Sequence, residues 1–114
     1  MPTTPLTPIV FNRGLDAEWT TIYTVPINKK GVGIDAVVIN NYTSTSQNFS
    51  VRLVQSGASS ELNEVITDVN VRAKSNDLAP AMIGQAISTS GYIQAKASAA
   101  NSLNINITAT VVDS

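Results

Sequence analysis

The chain has 114 residues, enough for one domain with a core of its own. It carries no Cys and no His, which excludes disulfides, thiolate metal sites and imidazole catalysis. Seven basic residues face eight acidic ones, for a net charge of −1, so there is no basic footprint for nucleic acid and no polybasic membrane anchor. Charged residues make up only 13% of the chain, against roughly 25% in an ordinary soluble domain, and Ser, Thr and Asn take their place. The hydrophobic fraction of 43% is that of an ordered protein. A surface of hydroxyls and amides suits faces covered by neighbouring subunits, because interface cores are depleted of charge.

The first eight residues hold Pro2, Pro5 and Pro8, with Leu6 as their one large apolar residue besides Met1. Proline fixes φ and removes a donor, so residues 1–8 are expected to form an extended arm that docks on a neighbour, with the domain proper over residues 9–114. The arm has neither the basic nor the apolar region of a signal peptide, and no apolar run approaches the ~18 residues of a membrane span. The expected site of synthesis is therefore the cytoplasm.

Ile9–Arg13 reads as a short strand and residues 14–18 as a loop. Trp19, Thr21, Tyr23 and Val25 alternate with Thr20, Ile22 and Thr24, which predicts a strand with Trp19 and Tyr23 on one face. A turn at residues 28–31 leads to a strand over Val32–Asn40, apolar on both sides at Ala36–Ile39. Residues 40–48, with Tyr42 among them, are polar loop, and Phe49, Val51 and Leu53 mark the next strand. Residues 61–66 admit a helical turn, although Val65, Thr67, Val69 and Val71 alternate as a strand does. Residues 73–80 are loop, and 81–88 a short strand broken by Gly84.

The clearest pattern is C-terminal. Ile93, Ala95 and Ala97 share a face, residues 99–102 turn, and Leu103, Ile105, Ile107, Ala109 and Val111 alternate strictly, as the two arms of a hairpin would. The whole predicts an all-β fold, an antiparallel β-sandwich (Ig-like or jelly-roll-like) of seven to eight strands. Its core should include Val25, Val37, Ile39, Val51, Leu53, Ile93, Leu103, Ile105 and Ile107.

Catalytic chemistry has little to stand on. The pairs Asp16/Glu18 and Glu61/Glu64 could in principle serve glycoside hydrolysis, but isolated loop carboxylates are ordinarily solvated charges. Lys29, Lys30, Arg52, Arg72 and Lys74 are interspersed with acids and lack stacking aromatics. Trp19 and Tyr23 could stack on a sugar, yet such residues more often fill a core or a subunit contact. No catalytic residue, metal or cofactor is expected.

Three stretches together resemble a family. They are Tyr23-Thr24-Val25-Pro26 before a basic turn; Val37-Val38-Ile39-Asn40-Asn41 before a Ser/Thr loop; and Gly91-Tyr92-Ile93-Gln94-Ala95-Lys96-Ala97, turning into Leu103-Asn104-Ile105-Asn106-Ile107. Their order over residues 20–112 resembles small virion-associated β-sandwich proteins of tailed bacteriophages. The chain departs from that pattern at Tyr92, where an acidic residue is usual, and after Gly57, where the polar stretch is longer. The resemblance implies a structural virion protein that is made in the host cytoplasm and assembled onto the particle. It would be a capsid decoration or cement protein bridging capsomers, or else a tail, neck or fibre component; a carbohydrate-binding module is the third reading. The implied partners are the major capsid protein or other virion subunits and further copies of the chain, in threefold clusters on the lattice. Nucleic acid and membrane are not implied. The candidate contact residues are Pro2, Pro5, Leu6, Pro8, Trp19 and Tyr42.

Overall fold

Strict alternation from Leu103 to Val111 sends every second side chain into one core, so this segment belongs where both neighbours can pair with it. The computed structural model describes residues 3–113, and side chains from residue 7 onward. Among the described residues nine strands follow in order: β1 (Thr3–Gly14), β2 (Thr20–Thr24), β3 (Lys29–Asn41), β4 (Gln47–Val54), β5 (Glu64–Val71), β6 (Asn76–Asp77), β7 (Ala86–Ser88), β8 (Tyr92–Ala97) and β9 (Leu103–Asp113). The fold is an all-β sandwich of two antiparallel sheets. The first sheet runs β1-β9-β3-β6, with β7 also on the far side of β3; the second runs β2-β8-β4-β5. All nine core residues expected from the alternation are buried between the sheets, seven of them with 1% exposure or less beside Val37 and Leu53.

The count exceeds seven or eight because the two-residue β6 falls in the segment expected as loop over residues 73–80. Only Ala86–Ser88 of the strand expected over 81–88 is extended; Pro80–Met82 is a 3₁₀ turn that buries Met82, and Gly84 sits at φ +84°. Residues 61–66 divide as both readings allow. Ser60 caps a 3₁₀ turn over Glu61–Asn63, its hydroxyl accepting from the Leu62 amide, and β5 starts at Glu64.

The expected C-terminal hairpin is not one. β8 pairs with β2 and β4, whereas β9 pairs with β1 and β3, so residues 98–102 cross from one sheet to the other. Both strands have one buried face, and a crossing satisfies that as well as a hairpin does. The crossing is tied down where the Ser102 hydroxyl donates to the Ala99 carbonyl (2.6 Å) and the buried Leu15 donates its amide to Leu103 (2.9 Å).

The separate arm is also corrected. Over residues 3–8 the backbone is part of β1, with Thr3 opposite Val112, Thr4 opposite Val111, Thr7 opposite Ala109 and Pro8 opposite Thr108. Proline holds φ in the extended range, and β1 is an edge strand, where a missing N–H costs no ladder bond on its open side. Met1 and Pro2 lie outside the described residues.

The sheets are also joined by a polar side chain. Asn41, at the end of β3, has no exposed surface. Its Nδ2 donates to the carbonyls of Val71 (3.0 Å) and Thr45 (2.8 Å), and its Oδ1 accepts from the Thr43 amide (2.9 Å) and hydroxyl (2.6 Å). Val71 closes β5 in the opposite sheet, so one amide fixes the β3–β4 loop and both sheets. The two departures from the family pattern meet as well: the Tyr92 hydroxyl donates to the Gly57 carbonyl at 2.6 Å.

Candidate assembly interface

Alternation gives each sheet an outer face, and the two faces differ in chemistry. On the first sheet the buried pairs Ile39–Ile105, Val37–Ile107 and Val32–Val111 point inward. The pairs between them therefore point out: Asn40–Asn104, Val38–Asn106, Ala36–Thr108, Gly33–Thr110 and Gly31–Val112. All ten are uncharged. The carboxylate at this face is Asp35, displaced by the irregularity between Ile34 and Ala36, and its Oδ2 accepts from the Thr110 hydroxyl at 2.7 Å.

Large apolar side chains flank this strip. On β1, Phe11 follows the buried Val10 and is 74% exposed. Beyond β3, Leu78 (64% exposed), Pro80 and Ile83 (43%) form with Ala36 and Val38 a groove of about 360 Å³, with Asp35 at its side. Exposed apolar surface rimmed by polar groups is what a protein contact leaves on an isolated subunit.

The outer face of the second sheet is charged. Arg52 and Lys96 lie over the Trp19 ring, the Arg52 guanidinium carbon 4.1 Å and the Lys96 Nζ 5.1 Å from its centroid. Arg52 also donates to Glu64 Oε1 at 3.1 Å across β4 and β5. Trp19 and Tyr23 do not share a face as the alternation predicted. An irregularity between Thr21 and Tyr23 inserts one residue, so Tyr23 pairs with the buried Ile93 and packs on the core, while Trp19 lies outside. With Arg52 over its ring, Trp19 offers less of a sugar-stacking platform than a bare indole would.

Glu64 is held below the usual carboxylate range, first by the Thr67 hydroxyl, which donates to Oε2 at 2.8 Å, and then by Arg52. A carboxylate that is more acidic in the folded than in the unfolded chain stabilises the fold above its unfolded value, about 4.3. That contribution is lost as pH falls through the lower folded value. The chain should therefore lose stability on acidification below about pH 4.3 more steeply than its Glu64→Gln variant; thermal melts across that range measure it, and parallel curves would contradict it.

The other sequence candidates are scattered. Tyr42 is 45% exposed; its hydroxyl donates to the Asn101 carbonyl, and its own carbonyl accepts from Lys74 Nζ at 2.8 Å, so it clasps two loops at one end of the sandwich. Pro5, Leu6 and Pro8 lie along the β1 edge. The carboxylates do not converge: Asp16 accepts from Thr20, Asp77 from the Ala79 amide, and Asp113 pairs with Lys29 at 2.5 Å. Among the described residues no three His, Cys, Asp or Glu are placed to hold a metal, and no helix is long and apolar enough to cross a membrane. Sequence reading missed Phe11, Leu78 and Ile83, whose only signal is an apolar residue in a predicted strand edge or loop.

The sheet edges are poor templates for another strand. β1 carries Pro5 and Pro8 and three irregularities of register; β2 has five residues, β6 two and β7 three; β5 is broken by Asp68 at φ +46°. Association is left to the faces. No family model, curated protein or solved structure matches the chain.

Proposed function

We propose that the chain is a non-catalytic structural subunit of a bacteriophage particle, a decoration or cement protein that sits on the head and stabilises contacts between capsomers. The observation that carries this reading is the outer face of the β1-β9-β3 sheet, uncharged at its five outward β3–β9 pairs and flanked by exposed Phe11, Leu78 and Ile83. Such a face gains by being covered, since its amides and hydroxyls hydrogen-bond to any neighbour and the Asp35 carboxylate is already bonded by the Thr110 hydroxyl. The stiff sandwich behind it, with blunted edges, packs side by side with other subunits, its own copies included, without adding strands to them.

The test is the stoichiometry of the protein in purified virions, followed by its retention on them. A band comparable in copy number to the major capsid protein supports a head position, whereas a few copies place it on tail or neck, and its absence ends the virion reading. A contact built without ion pairs should survive a rise to about 1 M salt, where screening acts within roughly 3 Å. Release of the protein by salt alone would contradict the proposed contact.

A further inference from the structure

The register places two exposed apolar side chains at opposite ends of one row across the first sheet. β1 and β9 pair at Val10–Ile107 and Arg13–Ile105, so Phe11 and Asn12 both lie opposite Asn106, and the Asn12 amide donates to Asn106 Oδ1 at 2.9 Å. Asn106 pairs with Val38 on β3. β3 and β6 pair at Asn40–Asn76 and Ile39–Asp77, and one further step puts Leu78 level with Val38, beside which it lines the groove. The row reads Phe11, Asn106, Val38, Leu78.

We infer that this face is covered by a second copy of the chain, related by a two-fold axis that runs parallel to the strands between β9 and β3, with Phe11 of each copy seated in the Val38–Leu78–Ile83 groove of the other. The inference rests on the reading above and names the occupant of that face. Rotation about such an axis exchanges the two ends of the row and leaves the level along the strands unchanged, so the knob meets the groove twice by symmetry.

Charge permits this. The paired β3 and β9 positions are uncharged in both copies, and the axis sets the Asp35 carboxylate, which keeps its bond from the Thr110 hydroxyl, over the threonines of the partner's β9 instead of over the other Asp35. Area agrees too. β9 has 11 residues, about 36 Å at ~3.3 Å each, β1, β9 and β3 span roughly 14 Å, and the short β6 and β7 add a margin, giving about 600 Å² per copy, at the lower end of a specific interface.

The chain has no cysteine, so a Phe11→Cys/Leu78→Cys variant carries two thiols and no others. Within one chain they are separated by three strand spacings, about 14 Å, whereas across the proposed contact they face each other over the ~10 Å between packed sheets. A short bis-maleimide that bridges the ~10 Å between packed sheets should give a covalent dimer of twice the 12.0 kDa chain, while either single variant stays uncrosslinked. Wild-type protein should sediment as a dimer, and Phe11→Asp should weaken dimerisation by roughly 30-fold or more with an unchanged far-UV spectrum. A wild type that is monomeric at all accessible concentrations, or a double variant that dimerises without crosslinking, overturns the inference. If monomers are nevertheless present on virions, the assembly function stands and only the occupant is wrong. If the crosslinked dimer forms but virions lack the protein, the virion reading fails and the pairing stands.

Discussion

Asn41→Ala is expected to lower the stability of the fold by about 3 kcal/mol. The side chain is fully buried and all of its hydrogen-bonding groups are used. Alanine leaves the Val71 and Thr45 carbonyls without their donor and the Thr43 amide without its acceptor, in a place that water reaches poorly. Unmet buried groups cost more than the bonds gain when formed. Asn41→Asp is the sharper variant, because it keeps the shape but turns a carboxylate oxygen toward two carbonyls. It should be less stable than Asn41→Ala at neutral pH and recover part of the difference when acid protonates it. Urea denaturation at two pH values measures both. An aspartate variant as stable as the wild type would mean that the amide does not staple the sheets.

Gly91→Ala should cost a similar amount, about 3 kcal/mol, for a steric reason. Gly91 is buried where β7 hands over to β8; its amide donates to the Ser88 carbonyl and its carbonyl accepts from the Val25 amide, both at 2.8 Å. A Cβ at this position would stand 2.5 Å from Ile87 Cγ2, 2.8 Å from the Val54 oxygen and 2.9 Å from the Ser88 oxygen. The methyl group of Ile87 could turn aside, but the two backbone oxygens are fixed by the strands that carry them. Gly14→Ala is the matched control. Its added carbon meets only the Asn101 side chain, at an ordinary 3.7 Å, and the change should fall within about 0.5 kcal/mol. Denaturation midpoints that fall equally for both variants would remove the steric argument.

The resemblance to phage proteins drew on the segments around Val25, Val37 and Ile93, which are core strands and their approaches. Such segments describe a sandwich better than they describe a binding surface. The candidate face comes instead from residues that carry no motif. Phe11 follows a buried valine on an edge strand, Leu78 stands in what reads as loop, and Ile83 in what reads as a short strand. Nothing in sequence puts positions 11 and 78 on one level, since that level passes through β9 and β3, each far away along the chain. Trp19 was the more conspicuous residue, and one inserted position at Thr21–Tyr23 was enough to move it to the charged outer face of the other sheet.

Period-two alternation by itself determined which side chains are buried, because a strand's two faces follow from its own residues, and that is why the core from Val25 to Ile107 could be named in advance. Its scarcity of charge likewise set the character of the exposed surface before any strand was placed. Only the tertiary structure decided which strand lies beside which. A half-apolar strand satisfies its pattern in either sheet, so the crossing between Tyr92–Ala97 and Leu103–Asp113 looked like a hairpin, and the proline-bearing N-terminal segment looked like an arm until β9 was seen to offer it an edge. Pairing rests on hydrogen bonds and packing between segments distant in the chain, and alternation within one segment carries no record of its partner.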